Sequence, residues 1–162
     1  MREADYIRTN LLAKLGEESL GNEKYQDAIN YINEFFELKN KNAFNDLNYL
    51  ENPCYFNRGL AYFNLGNYQR AVADLSNFIS KDTSSFDAYF LRTQAYFELD
   101  DMPKAIADIK SALSLKPSRG DLYINLGIAH LKQGDKLNAK PTLQKAVQLG
   151  FQDAQTYIDN YC

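Results

Sequence analysis

Residues 55–66 read Tyr55-Phe-Asn-Arg-Gly-Leu-Ala-Tyr-Phe-Asn-Leu-Gly66, and the line returns 34 positions on as Tyr89-Phe-Leu-Arg-Thr-Gln-Ala-Tyr-Phe-Glu-Leu-Asp100. It returns again as Tyr123-Ile-Asn-Leu-Gly-Ile-Ala-His-Leu-Lys-Gln-Gly134, and Tyr157 opens a further copy. The positions that follow keep the same step: Ala71, Ala105 and Ala139, then Leu75, Ile109 and Leu143. One fixed period over the chain marks an array of repeated units. Within each copy the apolar residues recur at helical spacing, and the Leu65-Gly66-Asn67 turn shows where one helix reverses into the next. A single helix pair of this kind cannot bury its apolar face alone, so neighbouring pairs must cover one another. The pattern predicts an all-α fold, an α-solenoid of antiparallel helix pairs.

Outward from that stretch, the units are expected at 52–85, 86–119 and 120–153, with 154–162 as a shortened capping helix. A divergent first unit is expected at 9–42, with helices over 3–21 and from about Tyr25 to Leu38. Ala28 precedes Ala71 by 43 residues, so nine extra residues intervene, placed at 43–51. That insert holds Phe44, Leu47, Tyr49 and Leu50, too apolar for a solvated loop, and is expected as a short helical turn packed on the array. Asn52-Pro53 reads as the cap and first residue of the next helix. Ser85 reads as a cap, Pro103 as a first-turn proline and Pro117 as a stop. Pro141 lies deeper in its helix than proline is usually tolerated, which predicts a late start or a kink there.

Composition excludes several classes. The 162 residues carry 18 basic and 21 acidic side chains, a formal net charge of −3 with neither sign gathered into a block, which argues against a nucleic-acid surface or a polybasic membrane patch. No stretch approaches the roughly 20 apolar residues of a membrane span, and the first residues lack the apolar core of a secretory signal. As written the chain reads as cytoplasmic. Cys54 and Cys162 stand far apart in the array and read as small side chains rather than as a disulfide or metal ligands. His130, the single histidine, falls where sister units have Tyr62 and Tyr96, and so reads as a packing residue. No phosphate-binding glycine loop, nucleophile elbow or metal-ligand spacing is present, so neither enzyme activity nor a cofactor or metal is expected.

These residues resemble the tetratricopeptide repeat (TPR) family. The likeness is carried by Tyr55, Gly59, Tyr62, Gly66, Tyr68, Ala71 and Leu75, by Tyr89, Tyr96, Ala105, Ile109, Ala112 and Pro117, and by Tyr123, Leu126, Gly127, Ala129, Gly134, Ala139, Leu143 and Ala146. Leu12, Leu15, Gly16, Tyr25, Ala28 and Ile32 carry it more weakly over 9–42. The finer likeness is to the bacterial Arg-Gly form of the repeat. Arg58 recurs as Arg92 and Asp74 as Asp108, whereas the other units lose both charges together, with Leu126 beside Thr142 and Leu15 beside Tyr31. This covariation predicts structural ion pairs Arg58–Asp74 and Arg92–Asp108; a ligand carboxylate for the arginines is the alternative.

The resemblance implies that the α-solenoid is right-handed and that it is a protein-protein interaction module, an adaptor or scaffold, in which the first helix of each unit lines a concave groove. Carried over by position, the groove residues are Phe56, Asn57, Leu60 and Asn64; Phe90, Leu91, Gln94 and Glu98; and Ile124, Asn125, Ile128 and Lys132. Half are apolar, which suits an amphipathic helix or extended peptide. The competing expectation is that Phe56, Phe90 and Ile124 lean into adjacent helices or lie under the insert. Family members that clamp the acidic C-termini of heat-shock chaperones use lysine, asparagine and arginine at positions held here by Ala13, Glu17, Asn57, Asp87 and Leu91. One unit on, those positions hold Phe56, Leu60, Leu91, Asp121 and Asn125. Neither frame has a basic residue, so that carboxylate clamp is not expected. Homo-oligomeric self-assembly, and a dedicated client chaperone like the three-repeat chaperones of type III secretion, remain alternative roles.

Overall fold

The computed structural model describes residues 2–162, the side chain of Arg2 excepted. It contains helices α1 (Arg2–Gly21), α2 (Tyr25–Asn42), α3 (Asn48–Asn64), α4 (Tyr68–Lys81), α5 (Phe86–Glu98), α6 (Met102–Leu115), α7 (Gly120–Lys132), α8 (Lys136–Gln148) and α9 (Asp153–Tyr161), with one 3-10 turn at Asn45–Leu47. The chain divides into two compact units, one ending at Thr83 and the other starting at Ser84.

Each pair is closed by the same device. The turn residues Glu23, Gly66, Asp100 and Gly134, one per pair, all take positive φ, at 58°, 72°, 54° and 75°. Glycine enters that left-handed region freely, whereas a residue with a Cβ is strained there. After the turn, Asp101 and Asp135 cap α6 and α8 by accepting from the N–H of Lys104 and Asn138, and Ser85 caps α5 through Ala88. Unpaired first-turn amides are satisfied in this way.

The first unit holds α1 to α4. Its core gathers Leu12, Ala13, Ile32, Phe35 and Cys54, with Ala28, Ile29 and Ala61 in a second cluster. Tyr55 of the ladder sets its ring 4.7 Å from Phe36 of the preceding pair, so it packs one pair on the next. The second unit holds α5 to α9. Met102, Ile109, Leu122 and Leu126 form one cluster with Tyr89 packed against it; Leu143, Ala146, Ala154 and Ile158 form another, flanked by Tyr123 and Tyr157. Small residues let the paired helices close up. A Cβ on Gly127 would lie 2.5 Å from Cγ of Leu143, well inside van der Waals contact.

Three local expectations are corrected. α2 runs four residues past Leu38, to Asn42, and Ala43 then takes a left-handed φ of 51° that ends it. Asn52 does not cap α3, which starts at Asn48 after Leu47. The reason is tertiary. Phe44 packs edge-on against Tyr6 of α1 at 5.5 Å and Leu47 is fully buried, so the 3-10 turn is anchored before the Asn52-Pro53 signal is reached. Of the insert, 43–47 forms that turn and its approach, and 48–51 adds a turn to α3.

Pro53 and Pro141 thus each occupy the sixth position of a helix, and α8 does not start late. A proline there removes one backbone bond, that to the carbonyl four residues earlier. Those carbonyls belong to Tyr49 and Leu137, whose residues are 64% and 89% exposed, so water can take the place of the missing amide.

Candidate interaction surfaces

Arg58 and Arg92 are held in place chiefly by their own helix pairs. Arg58 donates from Nε and Nη2 to the two carboxylate oxygens of Asp74, at 2.7 and 2.8 Å, and from Nη1 to Oδ1 of Asn33 on α2, at 2.7 Å. Its guanidinium also lies 4.7 Å from the ring centre of Phe36. Arg92 makes the same two-pronged contact with Asp108, 2.7 Å at each bond, between the rings of Tyr89 and Tyr96. Planar fork-to-carboxylate pairing of this sort is among the stronger polar contacts. Burial alone would lower the pKa of each guanidinium; the bond to its aspartate and that charge outweigh it, and both are held above the ordinary value.

The groove positions fare unevenly. Leu91 is 8% exposed and sits among core residues, offering little surface to a ligand. Phe56 is half-buried, its ring 5.2 Å from Phe78 on α4. Phe90 stacks on Phe86 at 5.8 Å, with the Arg119 guanidinium 5.9 Å from its own ring centre. Ile124 packs against the Leu143–Ile158 cluster. Asn57, Leu60, Gln94, Asn125 and Ile128 are half-buried, and Asn64, Glu98 and Lys132 are exposed. Asn64 turns its Nδ2 back onto the Leu60 carbonyl at 2.9 Å.

In the second unit these positions contribute to a pocket of about 280 Å³ between α7 and α9, lined by Ile128, Leu131, Lys132, Tyr157 and Tyr161. Ile128 and Lys132 belong to the expected groove. Leu131, Tyr157 and Tyr161 do not. Tyr161, 55% exposed, falls on the 34-residue step where the sister copies carry Gly59, Thr93 and Gly127, so the period gives no sign of an aromatic ring there. The rim cation Lys132 reaches Asp100 at 3.4 Å and remains largely solvated.

Among the described residues no group of three or more metal-ligating side chains comes together, and no helix is long and apolar enough to cross a membrane. His130 is largely buried, with Nδ1 3.1 Å from Oδ2 of Asp135, a close approach that lacks hydrogen-bond geometry. Cys54 is buried and free, and desolvation pushes its thiol up to about 12, so it is a poor nucleophile at neutral pH.

A chain of helix pairs on one 34-residue step, closed by equivalent turns, defines an α-solenoid repeat protein. Family models described as tetratricopeptide repeat match residues 56–120 and 120–150, together more than half of the chain, which belongs to that family. This is a non-catalytic, protein-interaction family. No curated protein sequence matches it.

Among solved structures, the chain is similar to MamA at 25% identity and a TM-score of 0.75, over 94% of this chain and 84% of that one. It resembles YrrB, described as a TPR protein with an unusual peptide-binding site, at 13% identity and a TM-score of 0.73, over 89% and 70%. The first TPR of Spaghetti (RPAP3), solved bound to an HSP90 peptide, shares 21% identity and a TM-score of 0.61, over 68% and 90%.

Proposed function

We propose that the chain is an adaptor that holds a short protein segment on the first-helix faces of its repeats, and that the second unit takes one bulky apolar side chain of that segment in the pocket between α7 and α9. The observation that carries this reading is the pocket itself. Its floor is apolar and aromatic, from Ile128, Leu131, Tyr157 and Tyr161, and a single lysine stands at its rim. Such a site suits an apolar anchor flanked by polar or acidic residues.

Other groove positions have less to offer. Phe56, Phe90 and Ile124 spend part of their surface on neighbouring side chains, so the ligand meets their edges. Arg58 and Arg92 are read as structural, because their carboxylate partners lie within their own helix pairs. A chaperone C-terminus is not the proposed ligand, since the positions that would clamp it carry no basic residue. Panning a random peptide library on the full chain, then measuring the selected peptides by calorimetry against the Lys132→Glu and Ile128→Glu variants, tests the proposal.

A further inference from the structure

The three repeats on the 34-residue step each place an aromatic or imidazole ring near the end of their first helix, Tyr62, Tyr96 or His130, and a turn residue five positions on. A polar side chain follows three positions later. In the α5/α6 pair these are Tyr96, Asp101 and Lys104. Asp101 accepts from the Lys104 backbone N–H at 3.3 Å and from its Nζ at 2.6 Å, while Nζ lies 5.6 Å from the Tyr96 ring centre. In the α7/α8 pair they are His130, Asp135 and Asn138. Asp135 accepts from the Asn138 N–H at 3.1 Å and from its Nδ2 at 2.7 Å, with His130 beside it. In both pairs an aspartate from the turn accepts from the polar side chain three positions on.

The α3/α4 pair has the ring and the cation but lacks the acid. Arg70 holds its guanidinium 5.6 Å from the Tyr62 ring centre, matching Lys104 over Tyr96, yet the turn residue is Asn67, whose side chain makes no cap bond. Arg8, Arg58, Arg92 and Arg119 each have a carboxylate partner. Arg70 is the one arginine with a described side chain that has none. Beside it opens a cavity of about 430 Å³, lined by Gln26, Ile29, Asn33, Tyr62, Asn67 and Arg70 among others, with no acidic residue in its lining. Asn33 gives its Oδ1 to Arg58, which leaves its amide NH2 available to the cavity. Arg70 itself is exposed, and an exposed guanidinium over a ring with amide donors beside it can receive a carboxylate.

We infer that this cavity binds a glutamate or aspartate side chain of a protein partner, which takes the place that Asp101 and Asp135 hold in the sister repeats. The site shares no residue with the groove positions or with the α7/α9 pocket, so it stands or falls separately from them. The carboxylate bonds the Arg70 guanidinium, and its aliphatic stem lies along Tyr62 and Ile29. Asn67→Asp supplies the missing acid from within the chain and closes the site.

The test is an NMR titration of the full chain, ¹⁵N-labelled, with a blocked Ala-Glu-Ala peptide and with Ala-Gln-Ala, following the Arg70 Nε–H signal and the side-chain amides of Gln26 and Asn33. The expected result is saturable shifts with the glutamate peptide alone, weakened about tenfold or more in Arg70→Gln and in Asn67→Asp, and unchanged in Lys104→Gln. Melting temperatures of the variants, with Asn67→Asp at or above the parent, show that the fold is intact. Equal shifts from the two peptides, saturable shifts that persist in Arg70→Gln or Asn67→Asp, or no saturable shift at all would each overturn the inference.

Discussion

At the scale of single residues, the repeat supplies its own controls. Arg58 and Asp74 are both buried or nearly so, and Asp74 is 5% exposed. Replacing Arg58 by leucine leaves that carboxylate without its cation, and breaking a buried pair from one side costs about 3–5 kcal/mol. Chemical denaturation of Arg58→Leu should show a loss of that order. The chain also shows what a neutral pair looks like, with Leu126 beside Thr142, so Arg58→Leu with Asp74→Thr should recover most of the loss. If the single and double variants unfold alike, the pair is not what holds these positions. Glu23 gives the opposite sign. It takes a φ of 58° at the position where Gly66 and Gly134 serve two other pairs. Glu23→Gly should therefore raise stability by about 0.5–1 kcal/mol, read as a higher melting temperature.

At the scale of elements, α3 is where local signal and tertiary packing disagree. Asn52-Pro53 has the chemistry of a helix start, and nothing within the 34-residue pattern opposes that reading. The opposition comes from Phe44 and Leu47, whose burial against other parts of the first unit anchors the chain five residues earlier. Positions that recur in several copies were legible because each copy checks the next: the turns, the small residues between paired helices and the tyrosine ladder. The insert occurs once, and its packing could not be checked in that way.

The same extra turn of α3 carries Glu51, which bonds Lys81 of α4 at 3.0 Å and Lys39 of α2 at 3.4 Å and so ties three helices together. Burial raises the Glu51 pKa, but the bond to Lys81 and the charges of both lysines outweigh it and hold the carboxyl below its ordinary value. A carboxyl with a lowered folded pKa stabilises the protein above its unfolded value, and that stability is lost as pH falls through the folded one. The melting temperature should therefore fall as pH drops from about 5 to about 3, and Glu51→Gln should fall less over that window. At neutral pH the same variant should already be weaker by about 1–2 kcal/mol, because Lys39 is buried and loses its partner charge. An unchanged acid slope in Glu51→Gln would remove the three-helix tie from the account.

At the scale of the whole molecule, the repeat fixes a scaffold, and what the scaffold does rests on the surfaces it leaves open. The candidate groove was legible only as positions. Which of those side chains stay available depends on neighbours that no period encodes, such as Phe78 under Phe56 and Arg119 over Phe90. Tyr161 entered the α7/α9 pocket from a position where the sister copies carry Gly59, Thr93 and Gly127. The Arg70 cavity did have a sequence signal, Asn67 against Asp101 and Asp135 on the 34-residue step. Its meaning needed the distances that show what those aspartates hold.

The measurement that bears most directly on that reading is calorimetric titration of a library-selected peptide into the full chain and into Lys132→Glu, Ile128→Glu and Leu137→Glu. Lys132 and Leu137 are both exposed, so neither change disturbs the core, and only the first lies on the pocket. The adaptor account predicts binding that weakens about tenfold or more in Lys132→Glu and Ile128→Glu and is unchanged in Leu137→Glu. A peptide that binds all four proteins equally, or a failure to select any saturable binder, would contradict it.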